Sequence, residues 1–177
     1  EEGEGTLITF EEENNMEQAV ISGIAFNRDE AKITVLGVPD HPGIAYQILG
    51  PIADANIDVD MIIQNVGVDG TTDFSFTVHR NEFTKAMDIL KSKVQPHIGA
   101  RDVIGDNKAA KVSVVGVGMR SHVGIASKMF RTLAEEGINI QMISTSEIKI
   151  SVVIDEKYLE LAVRVLHKAF DLDQENA

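Results

Sequence analysis

One unit is written twice in this chain. KITVLGV at residues 32–38 returns as KVSVVGV at 111–117, 79 residues on. GIA at 43–45 returns at 124–126, now 81 on, and Ala53, Ile57, Met61 and Ile62 return as Ala134, Ile138, Met142 and Ile143. Ser75, Ala86 and Leu90 return as Ser151, Ala162 and Leu166, 76 on. The offset drifts only between these segments, where loops can change length. Self-similarity at such a period marks a duplicated supersecondary unit. A unit of roughly 75 residues buries little surface by itself, so the copies should pack on each other or on a second chain.

Each copy reads as β-α-β-β-α-β. In the first, Ile33 and Val35 alternate with polar neighbours, a strand signature, and Pro39-Asp40-His41-Pro42-Gly43 is a turn cluster. Ile44, Ala45, Ile48, Leu49, Ile52 and Ala53 make an apolar helix stripe that Asn56 should stop. Ile57, Val59, Met61 and Ile63 alternate as a strand, Asp69-Gly70 signals a hairpin, and Phe74, Phe76 and Val78 alternate on the way back. Phe83, Ala86, Met87 and Leu90 form a second helix, and Arg101–Gly105 a weak closing strand.

The second copy has its strand at Val112–Val117 and its helix on Ile125, Ala126, Met129, Phe130, Leu133 and Ala134. Ile138, Ile140 and Met142, then Lys149–Ile154, form its hairpin, and Tyr158, Leu161, Ala162, Val165, Leu166 and Ala169 its second helix. It ends in DLDQENA, with no closing strand. The unassigned segment Ala19–Phe26, with Val20, Ser22, Ile24 and Phe26 on one face, is expected to fill that edge, since an open edge invites aggregation. The competing placements are a cap on an edge of the first copy or a strand of a missing neighbouring domain. The expected fold is α+β, two ferredoxin-like domains, 31–105 and 18–27 plus 108–171, behind an acidic leader at 1–17.

Composition narrows the function. Net charge is −12, and the first 17 residues hold seven of the acids and no Lys or Arg, the wrong sign for a signal peptide. Without a dense basic stripe, and with 5% aromatics, nucleic acid is not an expected partner. No apolar run approaches 18 residues, so no membrane span is expected, and the cytosol is the default location. No Cys is present, and His41, His79, His97, His122 and His167 show no metal-ligand spacing. No metal or cofactor is expected in this chain. Gly116-Val117-Gly118 is a partial dinucleotide fingerprint, with Ser121 at the third glycine position; alone it is weak.

The segment from the first strand into the first helix has the parts of an amino-acid site. A helix start offers free N–H groups to a carboxylate. Gly43 lets the backbone approach, and Asp40 can pair with an ammonium. The plain alternative is that Asp40 starts a turn and Gly43 serves the helix start. In the second copy the segment is GMRSHVGIA, with Arg120 in place of the acid and Ser121 as a good N-cap. It can still hold a carboxylate but lacks a local ammonium partner unless Asp58 crosses over.

QAVISGIAFNRDEAKITVLGVPDHPG, IDVDMIIQNV with DGTTDFSFTV, and INIQMISTSEIKISV resemble the paired ACT domains of aspartate kinase, from Met16 nearly to the end. GTLITF resembles the end of that family's kinase domain, which would make the chain the regulatory part of the enzyme or its separate small subunit. The resemblance implies allosteric control of the ATP-dependent phosphorylation of L-aspartate, with end-product amino acids as effectors. It implies two ACT domains, a homodimer, a catalytic domain or subunit as partner, and L-threonine or L-lysine as ligand. It carries Asp40, Gly43, Ile44, Ala45 and Gln64 into one effector site, completed by Asn139 and Ile140 from the second copy. Met119, Ser121, Gly124, Ile125, Ala126, Ser144 and Thr145, with Asp58, would form a second, weaker one. In many relatives a proline precedes the second glycine; here Val123 does. No catalytic residues are expected in this chain. The rival reading, a small enzyme on a ferredoxin-like scaffold, lacks any nucleophile–base constellation.

Overall fold

The computed structural model describes residues 21–119 and 123–172. Its strands are β1 (Ile21–Pro39), β2 (Val59–Val66), β3 (Thr71–His79), β4 (Asp102–Gly116), β5 (Met142–Thr145) and β6 (Lys149–Asp155). Its helices are α1 (Ile44–Asp54), α2 (Phe83–Ile89), the short α3 (Gln95–Ile98), α4 (Val123–Glu135) and α5 (Leu159–Ala169). Hydrogen-bonded neighbours run in the order β2-β3-β1-β4-β6-β5.

The described chain divides into two compact units, Arg28–Ala110 and residues 21–27 with 111–172. In the first, the strand order is β2-β3-β1-β4. In the second it is β5-β6-β4-β1. Read from its own first strand, β4, the second unit thus has the order of the first, with residues 21–27 of β1 in the closing place. Ser22 Oγ donates to the Val115 carbonyl at 3.2 Å across that pair. Ala19 and Val20 of the expected closing segment lie outside the described residues. Burial along β1 does not follow the expected face: Phe26 is 51% exposed, while Ile21 and Ile24 are half-buried.

Two further expectations change. Residues 21–26 and 32–38, expected in separate strands, belong to one strand, and so do residues 102–105 and 112–116. The intervening stretches stay extended because β1 and β4 pair with each other and occupy each other's backbone groups. Gly105, at the end of the expected closing strand, lies within β4 and allows close packing. A Cβ there would lie 2.5 Å from the Phe83 ring. In addition, Ile57 and Ile138 precede β2 and β5 rather than joining them. Their N–H groups donate to Ile52 and Leu133 carbonyls at the ends of α1 and α4. Asn56 (φ 60°) and Gly137 (φ 70°) fill the same left-handed stop of the two copies.

The first core is the stripe that the alternation announces. Ile33, Val35, Phe74, Phe76 and Val78 meet Ile44, Ile48 and Ile52 of α1 and Ala86 and Leu90 of the second helical segment. Pro96 lacks the N–H that would continue α2, and the chain passes through a wide π-turn at Leu90–Val94 into α3. In the second unit Val112, Val114, Ile150, Val152, Ile154, Met129, Leu133, Ala162 and Leu166 are buried. The duplication reaches individual hydroxyls. Thr34 and Ser75 pair at 2.9 Å, and their equivalents Ser113 and Ser151 at 2.6 Å.

Candidate functional site

In the first unit the β1–α1 segment is fastened to the β2–β3 hairpin. Asp40 N–H donates to the Gly70 carbonyl at 3.1 Å, and Gly37 N–H to Asp73 Oδ1 at 2.9 Å. Gly37 takes φ 64° at a β-bulge, and Gly43 takes φ 89° as the N-cap of α1. Left-handed backbone at both points is where glycine is favoured. No side chain caps α1, and its first turn carries no acid. Asp40, Gly43 and Ala45 are exposed, whereas Ile44 is buried and serves the core. A carboxylate can approach this helix start, and a cation can approach Asp40.

Gln64 reaches this side of the sheet through a bulge. Val59 pairs with Val78, but Ile62 pairs with Phe76, so β2 carries one extra residue. Met61 N–H bonds Thr77 Oγ1 at 3.0 Å in that irregularity. Beyond it the phase reverses: Ile62 and Gln64 share the face of Phe76 and Phe74, against which α1 packs. The simple alternation of Ile57, Val59, Met61 and Ile63 therefore ends at Met61. Gln64 is exposed, and its backbone is about 12 Å from Val38 by strand spacing and rise.

The second unit repeats the frame with different chemistry. Met119 N–H donates to the Glu147 carbonyl at 3.0 Å, as Asp40 does to Gly70. The Met119 side chain is 1% exposed and belongs to the interior rather than to an open site. Gly124 is not at the N-cap position of Gly43. It lies inside α4, which already begins at Val123, and it is not among the positive-φ glycines. Pro42 pushes its predecessor away from helical geometry in the first copy; Val123 lifts that restriction. Arg120, Ser121 and His122 lie outside the described residues.

Both the family models that match are described as ACT domain, and they cover residues 32–94 and 112–170. An aspartate kinase of Pseudomonas putida is 70% identical over 97% of this chain. A chain from a crystal structure of aspartokinase alpha and beta subunits is 66% identical, with TM-score 0.80, covering 85% of this chain and 99% of that one. The regulatory subunit of aspartate kinase from Thermus flavus is 42% identical, with TM-score 0.79, over 85% of this chain and 99% of that one. The chain belongs to the regulatory ACT region of aspartate kinase. It spans about 42% of the length of its P. putida relative.

Within this ACT region the duplication exposes a residue pair that the motif reading leaves undistinguished. Thr145 is the equivalent of Gln64, and it pairs with Ile150 on the helix-facing side of the second sheet. Ser144 pairs with Ser151 and takes the opposite face, so the two do not act at one place. Asn139 and Asp58 are also equivalent positions, both exposed, each just before the middle hairpin of its own copy. Ile140, beside Asn139, is half-buried. Among the described residues, no group of three or more His, Cys, Asp or Glu could hold a metal ion. No helix there is long and apolar enough to cross a membrane.

Proposed function

We propose that this ACT region senses an end-product amino acid, L-threonine first and L-lysine as the second candidate. In doing so it imposes feedback inhibition on an aspartate kinase catalytic domain, which phosphorylates L-aspartate with ATP in the cytosol. The observation that supports it most is the uncapped start of α1, opened by Gly43 in left-handed backbone beside the exposed Asp40. That arrangement offers a positive helix end to an α-carboxylate and a carboxylate to an α-ammonium. Gln64, on the helix-facing side, can hydrogen-bond a small polar side chain.

Asn139 and Ile140 would complete this site, and Asp58 its counterpart near Gly124, Ile125, Ala126 and Thr145. The equivalence of Asn139 and Asp58 supports a reciprocal exchange between copies. A homodimer is part of the proposal. β2 and β5 are the outer strands, and they carry exposed Ile62, Val66 and Ile143. Exposed apolar edges of this kind are templates for pairing with another chain.

Calorimetric titration of the 177-residue chain with each amino acid tests the reading. The wild type binds L-threonine, and Asp40→Ala weakens it by about 1.5–3 kcal/mol, the worth of a hydrogen bond to a charged group. Equal affinity of the two proteins rejects the site. Failure of the wild type to bind either amino acid rejects the sensor.

A further inference from the structure

The helix layer of the second unit carries a groove of about 650 Å3 between α4 and α5. Lys128 and Arg131 line it from α4, and Arg164 and Lys168 from α5. Their spacings, i to i+3 and i to i+4, set each pair on one helix face. At the same four positions the first copy has Gln47, Gly50, Asp88 and Ser92. The repeated helix pair therefore does not need cations there, and they are gathered in a chain of net charge −12. Lys128 is half-buried, and its Nζ stands 5.1 Å over the Phe170 ring. The ring holds the ammonium at the groove wall without neutralising it. Arg131 Nε lies 4.0 Å from Glu135 Oε1, but both side chains are about 70% exposed, a contact worth little.

We propose that this groove binds the phosphate chain of a small polyphosphate. Charge selects an anion, since the four cations outnumber Glu135 and Glu136, the two acids lining the groove at the end of α4. Geometry selects an anion with several charges in a row. Helix rise separates the α4 pair by about 4.5 Å along its axis and the α5 pair by about 6 Å. Packed helices stand about 8–10 Å apart. A single carboxylate does not meet cations on both walls; a chain of two or three phosphates does. The two guanidiniums, one on each helix, are planar forks that take phosphate oxygens in pairs. Leu161 and Val165, half-buried, line the same groove and offer apolar surface to an organic body attached to the phosphates. The groove shares no residue with the amino-acid site around Asp40.

Titration of the 177-residue chain with sodium triphosphate, followed by amide and side-chain NMR, tests this. Shifts are expected at Lys128, Arg131, Arg164 and Lys168, fading as NaCl is raised, because exposed charges are screened. Arg131→Gln with Arg164→Gln should weaken binding about tenfold, the loss of at least one charge-assisted contact. It should leave the Tm of the ligand-free chain unchanged. Lys91→Gln with Lys93→Gln removes two exposed cations of the first unit and should leave the affinity as it is. ATP separates the two sources of a phosphate chain, and either result supports the site. Tighter binding with further shifts at Leu161 and Val165 shows a nucleotide; an affinity equal to that of triphosphate shows that the phosphate chain alone is read. No shift in millimolar triphosphate, equal shifts at Lys91 and Lys93, or an unchanged affinity in the arginine variant overturns the proposal. A short polyglutamate peptide that binds as tightly as triphosphate overturns it too, in favour of an acidic protein segment.

Discussion

The two copies share a strand order and a core, yet they differ in the charged and polar side chains that hold their loops and in the backbone at the start of the first helix. Arg80 is the plainest case. Its Nη2 donates to the carbonyls of Arg28 at 2.7 Å and Ala109 at 3.0 Å, with that of Glu30 at 3.4 Å. Arg28 and Ala109 lie at the limits of the first unit, so one guanidinium fastens β1 to β4 where each strand leaves it. The equivalent position in the second copy is Glu156, which cannot donate. The turn around it is nonetheless conserved in form, since His79 and Asp155 cap it in the same way. A duplicated scaffold thus tolerates loss of the clamp in one copy while the other relies on it.

The largest expected effect comes from breaking that clamp. Arg80→Ala should destabilise the chain by about 1.5–3 kcal/mol, because hydrogen bonds from a charged donor are lost and carbonyls are left without it. Urea denaturation reads this as a lower midpoint. A change within about 0.5 kcal/mol, as for an ordinary surface substitution, would mean the contact is incidental.

A change of sign separates the two glycines of the repeated GIA. Gly43 needs φ 89°, a region that costs an L-residue about 1–2 kcal/mol, so Gly43→Ala should destabilise by about that much. Gly124 lies in the first turn of α4, where alanine is the better helix former. Gly124→Ala should therefore stabilise by about 0.5 kcal/mol. Nothing lies within 4 Å of a Cβ added at either glycine, so crowding does not confuse the comparison. Thermal melts in which both variants move the same way would erase the distinction between the two helix starts.

That contrast also marks what the sequence alone could convey. Alternation at Phe74, Phe76 and Val78 and the stripes of α1, α4 and α5 place the elements, because burial on one face imposes a period. Equal spelling of GIA hides different backbones, because the residue before the glycine decides where the helix begins. The bulge that turns Gln64 toward α1 has no local signature; it depends on Thr77 across the strand pair accepting from Met61 N–H. The continuity of β1 and β4 is equally non-local, since each keeps the other extended through stretches that read as loops. The expected closing role of Ala19–Phe26 came instead from counting strands, which needs no local signal.

The smallest effect concerns the hairpin turns, and it is confined to acid. Asp69 Oδ1 accepts from Thr71 Oγ1 at 2.7 Å and from Thr71 N–H at 3.1 Å. These bonds, the hydroxyl's first, hold the Asp69 carboxyl below the usual aspartate range. Its folded pKa is depressed, so its stabilising contribution is complete above the unfolded value. That contribution fades as pH falls from about 4 through the folded value. In the second copy the corresponding turn uses Ser146, whose Oγ accepts from Ile148 N–H at 3.4 Å, the same i to i+2 bond without a titrating group. Importing that solution as Asp69→Ser should keep the turn and remove its acid sensitivity. Amide shifts followed by NMR from pH 6 to 3 should move at Thr71 in the wild type and stay flat at Thr71 in the variant. A Thr71 shift that still titrates after Asp69→Ser would place the acid response on another group and leave the two hairpins alike.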